Sequence, residues 1–458
     1  MFKFLSVLSL SATSIAEKKD VDDVLNKILQ QGIEDSTYPS VAAIVGKGSE
    51  ILYSNALGHL TYSSEDPATT LETHFDLASL TKVFSTTSAV ALLFQQGIIS
   101  IDDRVADYLG DDFKVNGKEV ITIENCLLHN AGFSPDPDPC YWYPEFACPN
   151  TDDEYPAEDF SCMDQVWTSL MNESLNTPPG AAEVYSDLSF ITLQMVVGTV
   201  AMNKRLVSAE DFLPQCVSAT KAANMSTATG ATYPYDPVTT VCAFEAYVRQ
   251  NVFQRSTGSG VEVEPWLASS SYLPPPELYS QCAPTMDDTG EGSYTHRRLQ
   301  GQVADGNCYA MGGIAGHAGV FSTAPDVAKF MKYMITTREG SVQAAPNFLN
   351  ASTIELFTTI KNVTQSSRAY GWTTNAFRDS DNADHGYDHS CGLMSGETFM
   401  HIGYTGTCMC GDPKSSLWSV ILTNRAYNCQ QQKCPTELSD AVKSVYRKFN
   451  SVAAESFA

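Results

Sequence analysis

The chain has 458 residues, 53 Asp and Glu against 28 Lys and Arg, and a formal net charge of −25. Nucleic acid and anionic membrane surfaces are both held by clustered Lys and Arg, so this acidity argues against either as a partner. Hydrophobic residues make up 43% and charged residues 18%, enough for a sizeable core and unlike a disordered chain; the length points to two domains, or one with large insertions.

The first stretch, "MFKFLSVLSLSATSIAEKK", carries a lone Lys3, an apolar run from Phe4 to Leu10 and the small-x-small triplet Ser14-Ile15-Ala16. This pattern predicts a secretory signal peptide over 1–16, cut near Ala16; a plain N-terminal helix is the competing reading. No run of about 18 apolar residues occurs, so no membrane span is expected. Thirteen cysteines suit an oxidising compartment. Asn172, Asn224, Asn350 and Asn362 stand in Asn-x-Ser/Thr sequons and are candidate glycosylation sites. A secreted protein, or one in a secretory or lysosomal lumen, is therefore expected. Cys140/Cys148 and Cys429/Cys434 would each close a short loop, although connectivity is not readable from spacing.

From Asp20 to Ile33 the residues Val21, Val24, Leu25, Ile28 and Leu29 form a helical stripe. "SVAAIVGKGSEILYSNALGHL" reads as two strands joined at Gly46-Lys47-Gly48. Leu77 to Ile98 reads as one long apolar helix closed at Gly97, and "VITIENCLLHNAGF" as a short strand and a helix ended by Gly132. Two stretches lose regular patterning, at about 134–165 and 203–299, where Pro, Thr and aromatics crowd together. Patterning resumes at "MGGIAGHAGVFSTAPDVAKFMKYM". It continues through the strand-like "FMHIGYTGT" and "SLWSVILTN" to a helix from about Pro435 to Phe449. The expected fold is mixed α/β (α+β): an antiparallel sheet flanked by helices and built from both termini, 17–100 with 301–458. A mainly helical domain over 101–300 is inserted between them.

Within "DLASLTKVF", Ser79 and Lys82 stand at i and i+3 and share one helical face. A serine hydroxyl needs a base within hydrogen-bond reach to act as a nucleophile. Lysine serves if burial lowers its pKa from about 10.4. A second Ser-x-x-Lys, Ser218 and Lys221, lies in the irregular region without a long apolar helix behind it and reads as a chance match. Further on, "PPGAAEVYSDLSFITLQMVV" places Tyr185-Ser186-Asp187 after a turn and before an apolar helix, and "FMHIGYTGT" places His401-Ile402-Gly403 on a strand.

Ser-x-x-Lys, Tyr-x-Asp and His-x-Gly in this order resemble the motif set of the serine β-lactamase-like family. That family holds class C β-lactamases, penicillin-binding DD-peptidases and related esterases and D-aminopeptidases. "THFDLASLTKVF", "LLHNAGF", "GGIAGHAGVFSTAPDVAKF", "YTGT" and "ILTNR" look like further family landmarks, and "GHAGVFSTA" is most similar to the penicillin-binding-protein-like hydrolases. The resemblance runs from about Ser40 to Arg425, outside the two irregular stretches. It implies a β-lactamase/transpeptidase-like fold and a serine hydrolase working through an acyl-serine on an ester or amide, such as a D-amino-acid peptide or a small ester. It further implies acylation of Ser79, proton movement by Lys82 and Tyr185, and an oxyanion hole from the backbone N–H groups of Ser79 and Tyr404. Gly403 would let a substrate backbone lie against the strand, and His401 would place partial positive charge near a substrate carboxylate. Two positions depart from the family: Asp187 where Asn is usual and Ile402 where Thr or Ser is usual. An ionised Asp only accepts, and Ile has no hydroxyl, so both put β-lactam and D-Ala-D-Ala recognition in doubt. Weak or absent β-lactamase activity is expected.

No cofactor or metal is called for. His317 in "AGHAG" reads as a packing or loop-fixing residue. His385, His389 and Cys391 with their acidic neighbours read as a solvated loop, since calcium-loop spacing is absent. Cys408 and Cys410 share one face of a strand and suit a disulfide or core packing. No Gly-x-Ser-x-Gly elbow occurs. A non-catalytic binding or scaffold protein is the contrasting reading, motivated by Asp187 and Ile402 and opposed by the intact Ser79, Lys82 and Tyr185.

Overall fold

The structure is a computed structural model that describes residues 4–149, 156–226, 236–255, 265–290, 295–340, 348–376, 390–429 and 434–458. Among the described residues eleven strands run in chain order: β1 (Ser40–Lys47), β2 (Glu50–Gly58), β3 (Phe75–Asp76), β4 (Ser271–Tyr272), β5 (Met286–Asp288), β6 (Arg297–Leu299), β7 (Val320–Ser322), β8 (Thr373–Thr374), β9 (Phe399–Gly403), β10 (Thr407–Asp412) and β11 (Leu417–Thr423). Six form one antiparallel sheet in the order β2-β1-β11-β10-β9-β8. Its centre joins the two ends of the chain, because β1 pairs with β11 from Val41↔Thr423 to Lys47↔Leu417. A small sheet, β3-β7-β4, carries the turn that leads to Ser79.

Side chains alternate across a strand with period two, and here both faces are covered. Val41, Ala43 and Val45 of β1, with Leu417 and Ile421 of β11, pack under the terminal helices Phe4–Glu34 and Thr436–Phe457 through Leu25, Leu29, Val442, Tyr446 and Phe449. Ala42, Ile44, Trp418, Val420 and Leu422 face the opposite core, where Val327, Phe330 and Met331 of the Ala324–Arg338 helix lie. That second core continues into a helical region around the largely buried Asp187–Asn203 helix. The two-sided burial explains why β1 reads "SVAAIV" without polar alternation.

Several expectations change. The single helix expected over 77–98 is three pieces: a 3₁₀ turn (Ala78–Leu80), a π-helical segment (Lys82–Thr87) and an α-helix (Ser88–Gln95). Such wider turns cluster where side chains must be re-aimed, and here the segment follows directly on Ser79. The stretch 203–299 is less irregular than its composition suggests, since helices span Pro214–Ser226 and Pro237–Val248, bridged by a Cys216–Cys242 disulfide. Cys148 pairs with Cys162 and not with Cys140; Cys429–Cys434 and Cys391–Cys410 are also bridged. Cys140 and Cys408 remain thiols. The strand expected before Cys126 is only a single bridge, Arg104↔Thr122. Thr122 instead caps the Ile123–Leu127 helix, its Oγ1 accepting from Asn125 N–H. Among the described residues no helix is long and apolar enough to cross a membrane.

Candidate active site

Asp76 ends β3, and the chain then turns sharply through Ala78, whose φ is +46°. That left-handed conformation is uncommon for a residue with a Cβ. It lifts Ser79 to the floor of a cleft of about 590 Å³ that also meets Tyr185, Asp187, His401, Gly403 and Tyr404. The three separated motifs thus converge on one site. Ser218 lies exposed on its helix with its hydroxyl turned back to Pro214 C=O, away from the cleft.

Lys82 is completely buried. Its ammonium donates to Ser79 Oγ at 3.0 Å and to His317 C=O at 3.2 Å, and pairs with Asp187 Oδ1 at 2.7 Å. Burial on its own would lower the pKa, as the sequence reading required, but the Asp187 carboxylate and the Tyr185 phenol outweigh it and hold Lys82 above the ordinary lysine range. Lys82 is therefore an ammonium at rest and not a free amine. Asp187 stands at the start of the Asp187–Asn203 helix, just after Ser186, whose side chain caps that helix. Its carboxylate is turned to Lys82.

The Tyr185 ring lies between two cations, Lys82 Nζ at 4.8 Å and the Arg368 guanidinium at 5.2 Å from its centroid. Arg368 is itself fixed by Glu183 at 2.9 Å and by Thr373 Oγ1 at 2.6 Å. His401 is buried beside them. Its Nδ1–H donates to Ile402 C=O at 2.8 Å, and Nε2 has no partner among the described residues. Burial, reinforced by the charges of Lys82 and Arg368, depresses its pKa to about 3. His401 is thus held in its neutral form. Gly403 also has a reason within the fold itself. A Cβ there would sit 2.5 Å from Leu77 O and 2.2 Å from Thr407 Oγ1, so its missing side chain admits the nucleophile turn.

His317, read from sequence as a loop residue, belongs to the site. Its Nε2 faces Asp305 Oδ1 at 3.0 Å, and its pKa is raised, because Asp305 and Asp187 outweigh the cost of burial. Asp187, Asp305 and His317 offer ligand atoms within 4.8 Å of one another, close enough for a metal ion. The Lys82 ammonium already occupies the cation position beside Asp187. Asp136, Trp142 and Tyr143 form a further wall from the 134–165 stretch, and Arg425 and Lys443 stand on the side of Tyr404. None of these is marked by motif spacing, although Asp305 is recognisable locally as the cap of the Gly306–Ala310 helix. His385 and His389 lie outside the described residues. Asn172, Asn350 and Asn362 are exposed.

The Beta-lactamase family model matches residues 25–215 and 228–442. The chain belongs to that family. It is 26% identical over 412 residues to a protein of Escherichia coli (strain K12) named "Putative D-alanyl-D-alanine carboxypeptidase", covering 86% of this chain and 80% of the relative. A counterpart of the same name in Salmonella agona (strain SL483) is 25% identical over 415 residues, with the same coverage. Among solved structures, a penicillin-binding protein homologue from Caulobacter crescentus superposes with a TM-score of 0.59 at 15% identity, over 95% of this chain and 98% of its own. A class C β-lactamase from Rhodobacter sphaeroides gives 0.56 at 14%, over 92% and 97%. A hydrolase described as having promiscuous acyltransferase activity gives 0.59 at 16%, over 94% and 100%. These likenesses establish the antiparallel sheet flanked by helices as the β-lactamase/transpeptidase-type fold.

Proposed function

We propose that the protein is a serine hydrolase that forms an acyl-enzyme at Ser79 on small ester or D-amino-acid peptide-like amide substrates, as a carboxypeptidase- or esterase-type enzyme with weak or no β-lactamase activity. One observation carries the reading: Lys82 Nζ bridges Ser79 Oγ at 3.0 Å and Asp187 Oδ1 at 2.7 Å on the floor of the cleft. With Lys82 held as an ammonium, the proton of Ser79 moves by relay. Lys82 first passes a proton to Asp187, and the amine so formed takes the Ser79 proton as Oγ attacks the carbonyl carbon. The resulting oxyanion takes hydrogen bonds from the backbone N–H groups of Ser79 and Tyr404. The proton then returns through Lys82 and Tyr185 to the leaving oxygen or nitrogen, and water releases the acyl group by the reverse path.

The four disulfides among the described residues and the apolar N-terminal stretch support a secretory location, with the mature protein starting near Glu17. A fluorophosphonate probe, together with a panel of p-nitrophenyl esters, D-amino-acid peptides and nitrocefin, tests the reading. Labelling and hydrolysis are expected in the wild type and in Ser218→Ala and are expected to disappear in Ser79→Ala. A wild type that does not label is the outcome expected of a non-catalytic binding protein.

A further inference from the structure

We infer that Asp76 is a positioning residue of this site, locking the nucleophile turn to the oxyanion strand and to the Asp305 segment. The inference rests on the assignment of Ser79 as nucleophile. Asp76 does not line the cleft and is 2% exposed. Its Oδ1 accepts the N–H of Ala78 at 2.8 Å, its Oδ2 accepts the N–H of Ala304 at 2.8 Å, and its own C=O accepts from Thr405 Oγ1 at 2.6 Å.

Each of those partners is the immediate neighbour of a site residue. Ala78 precedes Ser79, Ala304 precedes Asp305, and Thr405 follows Tyr404. The Asp76 carboxylate therefore ties the nucleophile turn to the segment of Asp305, which holds His317, and its backbone C=O ties the same turn to the second oxyanion donor. The Ala78 contact also stabilises a left-handed φ of +46° that the residue would not adopt freely. Neighbouring bonds from Thr407 Oγ1 to Leu77 C=O, 2.9 Å, and from Leu77 N–H to Val320 C=O, 2.8 Å, seat the turn but do not reach Asp305.

Only the ionised carboxylate satisfies both N–H donors with both oxygens, since protonation turns one oxygen into a donor. Burial pushes the Asp76 carboxyl up to about 7, against the two N–H groups that lower it. The titratable groups facing it are Asp305, Glu158, Cys282 and Cys308. Glu158 is itself pushed up to about 7 by burial, so it is the necessary control.

The test uses the full chain with an ester substrate and the fluorophosphonate probe across pH 5.5 to 9. In the wild type, kcat and the labelling rate are expected to fall below about pH 7. Asp76→Asn is expected to lower kcat about tenfold or more at every pH with KM within twofold, as for misplacing an oxyanion donor, and to lose that acid limb. Glu158→Gln is expected to keep the limb, and Asp76→Glu to regain part of the rate together with the limb. An Asp76→Asn enzyme with wild-type kcat, or with the acid limb unchanged, overturns the inference. If the Asn variant does not fold, the wild-type limb decides: its survival in Glu158→Gln supports the assignment and its absence overturns it. A wild type that never labels at Ser79 instead refutes the nucleophile, an outcome distinct from equal labelling of wild type and Asp76→Asn.

Discussion

The Lys82 ammonium and the Asp187 carboxylate stand 2.7 Å apart, with the lysine fully buried and the aspartate 14% exposed. The departure from the usual Asn is thus a change in the charge of the site and not a lost substrate contact alone. A carboxylate here keeps Lys82 protonated and supplies the acceptor that a neutral amide lacks.

Asp187→Asn removes that acceptor, leaving burial free to lower the pKa of Lys82. Lys82 must then lose its proton to act as the base. The variant is expected to be about 10²-fold slower than wild type near pH 6 and to recover towards the wild-type rate as pH rises to 9. Parallel pH–rate profiles for the two enzymes would remove Asp187 from the relay.

Lys82→Met leaves Asp187 beside Asp305 without its cation. Breaking a buried pair from one side costs about 3 kcal/mol. Adding Asp187→Asn to Lys82→Met is expected to restore at least half of the loss, since the stranded charge is gone. Urea unfolding of the single and double variants measures this, and equal losses would show that the pair carries no such coupling.

His401 is held neutral, with its pKa at about 3 against an ordinary 6.5. Its contribution to stability is present above pH 6.5 and is lost as pH falls from 6.5 towards 3. Between pH 6.5 and 5 the loss is on the order of 2 kcal/mol. His401→Gln cannot bind this proton, so its stability is expected to fall less steeply over that window. Some acid sensitivity remains from His129, whose pKa is also lowered by burial and nearby cations. Denaturant midpoints at pH 7 and pH 5 check the point, and identical slopes for variant and wild type would contradict it.

Ile402 lines the cleft, at the position where the family resemblance implies a hydroxyl for the carboxylate of a β-lactam. Leaving such a group without its donor costs about 1–3 kcal/mol. Ile402→Thr is expected to raise nitrocefin turnover about tenfold relative to p-nitrophenyl acetate turnover, because the simple ester has no carboxylate to benefit. An unchanged ratio would mean that Ile402 does not limit β-lactam recognition.

Much of this molecule is determined locally in the chain. The sheet strands announce themselves by β-branched apolar runs in "SVAAIV" and "SLWSVILTN", and Ser79, Tyr185 and His401 by motifs whose order survives low identity. Those signals are short-range: a face of a helix, the period of a strand, a triplet after a turn. Electrostatics is not short-range. Lys82 stays an ammonium despite its burial because the fold brings Asp187 against it, and His401 is held neutral well into acid because the fold buries it beside Lys82 and Arg368. His317 and Asp305 join the site through a contact that no spacing encodes, and Cys148 chose Cys162 over the nearer Cys140. Asp76 shows the same division in one residue, read from sequence as part of a landmark, while two of its three anchoring bonds come from Ala304 and Thr405, more than two hundred residues away in sequence. Identity and order are written along the chain; protonation state and pairing are set by burial and by charges that only packing places side by side.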